Sequence, residues 1–90
     1  MAKQSGERFL VTGAMGCVGA WAIKRLLDEG LQVSAYDLSN DRYRLETIMD
    51  DDAIASVNFI PGDITDLDAF STAVTDNDIT HILHLAAMQV

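Results

Sequence analysis

Three glycines recur at three-residue intervals in the segment LVTGAMGCVG, at positions 13, 16 and 19. A turn of this kind between a strand and a helix brings the backbone close to a pyrophosphate. Gly13 would allow the tight turn, Gly16 would keep side chains away from the phosphates, and Gly19 would let the helix pack closely on the strand. The spacing differs from the common G-x-G-x-x-G fingerprint because position 14 is alanine, and no Gly-Lys-Ser/Thr follows as in a P-loop. The segment therefore predicts a dinucleotide-binding turn of the G-x-x-G-x-x-G kind.

The helix that follows this turn would direct the N–H groups of its first residues, Cys17 and Val18, at the phosphates. The helix dipole would add about 0.3–1 kcal/mol to that attraction. An alternative interpretation is a strand–turn–helix whose glycines serve packing alone. Cys17 is the single cysteine, which excludes an intrachain disulfide, and we expect it to fill space as a small apolar residue.

An acidic residue, Asp37, ends the next apolar run 24 positions after Gly13. This is close to the offset of about 20 residues at which an acid meets the adenosine ribose. Its carboxylate would accept hydrogen bonds from the 2′- and 3′-hydroxyls and would repel a 2′-phosphate, which favours NAD over NADP. The nearby Arg42 could instead accommodate the extra phosphate. The alternative for Asp37 is an ordinary acidic residue in a loop.

Apolar runs and helical stripes alternate along the chain and would position these residues. Strands are predicted at 9–11, 31–36, 57–60 and 81–85, and helices at 17–29, at about 41–49 and after a cap at Thr65 or Asp66. The order βαβαβαβ predicts a Rossmann-type, doubly wound α/β fold with a parallel sheet. A complete fold of this type has six strands, so we expect a sheet truncated after the fourth strand. The three aspartates at 50–52 predict a solvated loop, since they lack the alternating pattern of a calcium loop.

The composition indicates a globular protein that binds neither nucleic acid nor membranes. The 90 residues include 14 acidic and 6 basic side chains, a net charge of −8, whereas nucleic acids and anionic membranes attract basic residues. No apolar run approaches the roughly 18 residues of a membrane span, and one cysteine fits a reducing compartment, so we expect a cytoplasmic protein. His81 and His84 would face opposite sides of the fourth strand, so no metal site is predicted.

Four motifs follow one another along residues 8–90 of the chain. They are Thr12-Gly13-x-x-Gly16-x-x-Gly19, Asp37, Gly62-Asp63-Ile64-Thr65-Asp66 and His84-Leu85-Ala86-Ala87. Together they resemble the motifs of extended short-chain dehydrogenases/reductases, in the branch of NAD-dependent epimerases and dehydratases that act on nucleotide sugars. The single-domain branch of that superfamily has T-G-x-x-x-G-x-G, which would need glycine where this chain has Cys17.

This resemblance implies roles for further residues. Asp63 would accept a hydrogen bond from the adenine amino group, and Ile64 would pack on the adenine ring. Leu85, Ala86 and Ala87 would line the groove beside the pyrophosphate and the nicotinamide ribose. Small residues at the carboxyl end of a strand also fit the crevice in which open α/β sheets bind ligands. The alternative for Asp63 is a turn acid after the preceding Pro-Gly pair.

The resemblance also implies that residues 1–90 are the N-terminal part of a single NAD(P)-binding Rossmann domain whose substrate-binding part is absent. The parent enzyme would bind NAD and act by hydride transfer on a nucleotide sugar. The family's Tyr-x-x-x-Lys pair is missing, because Asn40 follows Tyr36, and Thr47 follows Tyr43, at that distance. No catalytic residue is therefore predicted, and we expect this chain alone to be inactive.

Two other functions remain open at this point. One is a non-catalytic NAD(P)-binding, redox-sensing module of atypical short-chain dehydrogenase type, which downstream sequence would distinguish from an enzyme. The other is a different nucleotide ligand, such as a flavin, on the same turn. A small-molecule substrate is expected only for the full-length parent. The segment 81–85 would be an edge strand without Lys, Pro or Gly, which predicts a homodimer or aggregation through that edge.

Overall fold

The computed structural model describes residues 6–39 and 41–85, which form one parallel sheet with helices on both faces. The strands are β1 (Arg8–Thr12), β2 (Gln32–Asp37), β3 (Asn58–Pro61) and β4 (His81–His84). The helices are α1 (Cys17–Asp28), α2 (Tyr43–Ile48), α3 (Asp51–Ala55) and α4 (Leu67–Asp76). The sheet order β3-β2-β1-β4 confirms the predicted Rossmann-type α/β architecture.

β1 is an inner strand of the sheet, and both of its faces are covered by other elements. Leu10, Val11 and Thr12 are fully buried, as expected for a parallel strand between two helical layers. β1 pairs with β2 on one side and with β4 on the other, so that Thr12 lies opposite both Tyr36 and His84. The carboxyl ends of the three strands therefore meet at one edge, where the glycine turn begins.

Two apolar clusters hold the helices against the sheet. The cluster on the first face joins β1 and β2 to α1, α2 and α3 and includes Val11, Val33, Ala35, Ala20, Ile23, Leu45 and Ile54. On the second face, Leu10 and Tyr36 pack with Ala73 of α4. Phe70 of α4 meets Tyr36 edge to face, with 5.4 Å between the ring centroids. Among the helices of the described residues, none is long and apolar enough to cross a membrane.

α1 ends at the glycine that the sequence predicts. Gly30 has a φ of +79°, a conformation that glycine adopts without steric cost. Its N–H donates to the Leu27 carbonyl at 2.9 Å, and the Leu31 N–H donates to the Leu26 carbonyl at 3.1 Å. This ending satisfies the last carbonyls of the helix and returns the chain directly to the sheet.

The segment between β2 and β3 differs from the prediction of one helix followed by an aspartate loop. It forms two short helices, and Asp50 caps the second of them by accepting a hydrogen bond from the Ala53 N–H at 2.9 Å. Asp51 and Asp52 occupy the first turn of that helix, where the dipole favours carboxylates. The prediction of a loop at residues 50–52 was wrong, because three aspartates suit a helix start as well as a solvated turn.

β4 has a neighbouring strand on one side only within the part of the chain that the structure describes. All four of its residues are exposed, and Ile82 and Leu83 add apolar surface there. Within the described residues, β4 therefore presents an unpaired backbone edge flanked by exposed apolar side chains, which is the kind of edge that pairs with other strands.

Candidate functional site

The glycine turn between β1 and α1 is closed by its own backbone. Gly13 has a φ of +67°, in the left-handed region that favours glycine. Its N–H donates to the Tyr36 carbonyl of β2 at 3.2 Å, and the Gly16 N–H donates to the Gly13 carbonyl at 3.1 Å. The turn is thus anchored to the carboxyl edge of the sheet and closed on itself.

Gly19 has no room for a side chain. A Cβ at this position would collide with the Gly13 carbonyl oxygen and would lie 2.9 Å from the Ala14 Cα. Gly16 differs, because a Cβ there would lie 3.4 Å from the Gly13 carbonyl oxygen, an ordinary contact distance. Gly19 therefore serves the close packing of α1 on the turn, whereas Gly16 keeps the exposed side of the turn bare.

The start of α1 is open to solvent. Gly16 is the N-cap residue, and no side chain caps this helix. Cys17 and Val18, the first two helical residues, are both exposed. The prediction that Cys17 fills space as a small apolar residue was wrong, because the first turn of α1 lies at the surface. Uncapped N–H groups at a helix N-terminus attract anions, because the helix dipole adds to their hydrogen-bonding capacity.

Asp37 connects the end of β2 to the glycine turn. Its Oδ2 accepts a hydrogen bond from the Met15 N–H at 3.0 Å, and its Oδ1 accepts one from the Ser39 N–H at 2.8 Å. The residue is half-buried. Each oxygen retains a lone pair for a further donor, so the group is held in place and still able to bind a diol.

A cavity of about 210 Å³ lies beside this carboxylate, at the carboxyl ends of β2 and β3. It is lined by Met15, Ala35, Asp37, Ser39, Arg42, Phe59, Ile60 and Pro61. The Arg42 guanidinium stacks on the Phe59 ring, with Cζ 3.7 Å from the ring centroid. The cavity thus combines an anion, a cation and apolar walls.

Asp63 and Ile64 lie outside the lining of that cavity. Asp63 Oδ1 accepts hydrogen bonds from the Thr65 hydroxyl at 2.7 Å and from the Thr65 N–H at 2.9 Å, which hold the pKa of the carboxyl below its usual range. Ile64 packs against the cluster under α4. The structure brings Asp37 to the glycine turn but places these two residues beyond the end of β3, outside the cavity.

Gly62 precedes these residues, and a separate steric reason requires glycine at this position. A Cβ there would collide with the Tyr36 ring, 2.6 Å from Cε1, and Tyr36 is almost fully buried. The Tyr36 hydroxyl donates to the Asp63 carbonyl at 3.3 Å. Burial, with Asp66 and Asp63 nearby, raises the pKa of this phenol and keeps it a donor.

The carboxyl ends of β1 and β4 are joined through Thr12. Its hydroxyl accepts from the Leu85 N–H at 2.9 Å and lies 2.8 Å from His84 Nδ1. Ala86 and Ala87, which the sequence also places at this groove, lie outside the described residues. Leu85 follows β4 directly and packs against the cluster under α1.

The two histidines have separate surroundings. The His81 ring stacks on Phe9 with 4.8 Å between centroids, whereas His84 contacts Thr12 at the other end of the strand. In the part of the chain that the structure describes, no group of three metal-ligating side chains comes together.

Sequence reasoning missed two features of this site. One is the Met15 N–H as a donor to Asp37, which depends on the register between β1 and β2. The other is the stacking of Arg42 on Phe59, two residues that are far apart in sequence. The position of Phe59 within an apolar run is the only sequence signal for the second feature, and it does not specify a cation as the partner.

The parallel sheet, the glycine turn after β1 and the acid after β2 agree with the sequence resemblance to NAD-dependent epimerases and dehydratases of the extended short-chain dehydrogenase/reductase class. The sequence model of one family in this class, described as GDP-mannose 4,6 dehydratase, matches residues 10–90. The chain belongs to that family. Comparison with curated protein sequences gives no match.

Solved structures with the same fold support this assignment. UDP-glucose 4-epimerase from Thermus thermophilus, in complex with NAD, is 31% identical with a TM-score of 0.71, over 90% of this chain and 24% of that one. WbmG from Bordetella bronchiseptica, also in complex with NAD, is 26% identical with a TM-score of 0.72, over 94% of this chain and 26% of that one. UDP-glucose 4-epimerase from Bifidobacterium longum has a TM-score of 0.77 at 24% identity, over 91% of this chain and 25% of that one. This third similarity is evidence for the fold alone. The chain spans about a quarter of the length of these structures.

Proposed function

We propose that this chain binds NAD along the carboxyl edge of its sheet. The pyrophosphate would lie at the glycine turn, and the adenosine ribose would lie at Asp37. The observation that carries the proposal is the hydrogen bond from the Met15 N–H to Asp37 Oδ2, because it makes the turn and the acid parts of one site. The NAD complexes of the Thermus thermophilus and Bordetella bronchiseptica proteins support the same cofactor.

The residues of the turn fit a pyrophosphate for steric and electrostatic reasons. Gly16 leaves the exposed side of the turn bare, and the N–H groups of Cys17 and Val18 begin a helix that no side chain caps. These groups would donate hydrogen bonds to the phosphate oxygens at a position where the helix dipole already favours negative charge.

Asp37 would select the unphosphorylated ribose. Its two oxygens are oriented by the N–H groups of Met15 and Ser39, and their remaining lone pairs would accept from the 2′- and 3′-hydroxyls. A 2′-phosphate would bring like charge against this half-buried carboxylate, so NADP should bind more weakly. Five further residues are proposed to complete the binding site for NAD. Asp63 and Ile64 would contact the adenine, and Leu85, Ala86 and Ala87 would line the groove beside the pyrophosphate and the nicotinamide ribose.

In a protein that carries the whole family fold, we propose hydride transfer to and from the nicotinamide during epimerisation or dehydration of a nucleotide sugar. The bound NAD supplies the hydride-accepting ring, and residues 1–90 supply its binding and orientation as part of a single Rossmann domain. We further propose a cytoplasmic protein, since its one cysteine is a free, exposed thiol. A homodimer formed through β4 is part of the same proposal.

Calorimetry with Asp37→Asn tests the proposed site. The amide keeps an oxygen acceptor for the backbone but loses the charge, so the preference for NAD over NADP should shrink by about 1–3 kcal/mol. Asp41→Asn is the matched control. Asp41 is an exposed acid of the same loop, and its carboxylate accepts a hydrogen bond from the Tyr43 N–H. Equal preference for NAD in the wild type and the Asp37→Asn variant would refute the role of Asp37.

A further inference from the structure

Arg42 is a half-buried cation that forms no ion pair with the part of the chain that the structure describes. Its guanidinium stacks on the Phe59 ring at 3.7 Å, and within residues 6–39 and 41–85 no carboxylate lies within ion-pair distance of it. Unlike the exposed Arg44, which also forms no ion pair among the described residues, Arg42 is half-buried and lines a cavity. Its backbone is fixed as well, because the Arg42 carbonyl accepts from the Glu46 N–H at 2.9 Å in the first turn of α2.

The stacking determines which surface of Arg42 meets a ligand. A guanidinium is planar, and one planar face of Arg42 is covered by Phe59. The opposite face and the edges are left to the cavity, which Arg42 lines together with Asp37 and Ser39. A planar, delocalised cation with one free face can stack on a flat aromatic ring.

The position of Asp37 favours a nucleotide base rather than a phosphate group as the ligand of Arg42. Asp37 lines the same cavity, and its charge disfavours an anion there, whereas a neutral aromatic ring carries no such penalty. The aromatic wall formed by Phe59 and the apolar Ile60 and Pro61 also suits a base. We propose that Arg42, held flat by Phe59, is the stacking platform for the adenine ring of the dinucleotide. The inference rests on the proposed function, because it takes the ribose to lie at Asp37.

Binding measurements on the 90-residue chain separate this role from that of a phosphate-binding arginine. NAD, NADP and AMP are titrated into the wild type, Arg42→Ala and Arg42→Lys. Stacking predicts that Arg42→Ala weakens all three ligands by a similar factor, about three- to tenfold. Arg42→Lys keeps the charge but loses the planar face, so it should weaken NAD and AMP nearly as much. Arg25→Ala is the control, since Arg25 is an exposed arginine of α1 that pairs with Glu29 and does not line the cavity, and it should leave all affinities unchanged.

The outcomes distinguish the inference from the proposed function. If the wild type binds NAD and Arg42→Ala binds it equally well, the platform role is refuted and the proposed function stands. Selective loss of NADP in Arg42→Ala, restored in Arg42→Lys, would also overturn the platform role by assigning Arg42 to a phosphate. If the wild type binds neither NAD nor AMP, the proposed function fails and the inference fails with it. Circular dichroism confirms that each variant is folded, and Arg42→Lys supplies the test if Arg42→Ala is not.

Discussion

Alanine at position 19 should destabilise the fold although alanine is the better helix former. In an exposed helix the change from glycine would gain about 0.5–1 kcal/mol. Here the added Cβ would collide with the Gly13 carbonyl oxygen and would lie 2.9 Å from the Ala14 Cα. Both are backbone atoms that cannot rotate away, and overpacking of this kind costs about 1–3 kcal/mol or more. The steric cost therefore outweighs the helix propensity.

Thermal unfolding measures this cost against a matched variant. Gly19→Ala should lower the free energy of unfolding by about 1–2 kcal/mol after the helix gain is subtracted, or roughly 4–16 °C in midpoint for a chain of this size. Gly16→Ala is the control, because its Cβ would meet only one atom, at the ordinary distance of 3.4 Å. That variant should unfold within about 0.5 kcal/mol of the wild type and should instead weaken NAD binding, since its methyl group would stand on the exposed side of the turn. A Gly19→Ala variant as stable as the wild type would refute the packing argument.

Gly62→Ala should lower the free energy of unfolding by about 1–3 kcal/mol, because its Cβ would strike the buried Tyr36 ring; an unchanged denaturant midpoint would contradict this. The open edge of β4 should make the chain self-associate, and Ile82→Lys, which places a charge on a residue that is 48% exposed, should abolish that association. Sedimentation at micromolar concentration checks the second prediction, and a wild-type chain that remains monomeric would refute it.

The sequence was sufficient to predict the order of the strands along the chain and most of the helices. A short apolar run such as the one around Leu10 and Val11 is typical of a strand buried on both faces, and the glycine turn and helix that follow it indicate a parallel sheet. The bounds of all four strands differ from the prediction by one residue at one or both ends, because apolar character does not end where strand pairing ends. The second helix after β2 was missed, since Asp50 can either belong to a loop that ends one helix or cap the next one.

The parts of the candidate site that follow from sequence spacing were predictable. The glycine turn and Asp37 were found because their spacing follows from the length of one strand and one helix. The partners of Asp37 were not found, because a backbone N–H leaves no trace in the sequence. The contact of Arg42 with Phe59 depends on how the start of α2 lies against β3, and such long-range packing is not encoded in local patterns.

Nuclear magnetic resonance of the ¹⁵N-labelled chain during titration with NAD tests the central claim most directly. The amides of Met15, Cys17, Val18 and Ser39 report on the turn, on the start of α1 and on the partners of Asp37. We expect NAD to shift these resonances and to leave the amide of Asn77, at the end of α4, unchanged. NADP should produce the same shifts only at higher concentration. Shifts confined to α4, or no shifts at all, would contradict the assignment of NAD to the glycine turn.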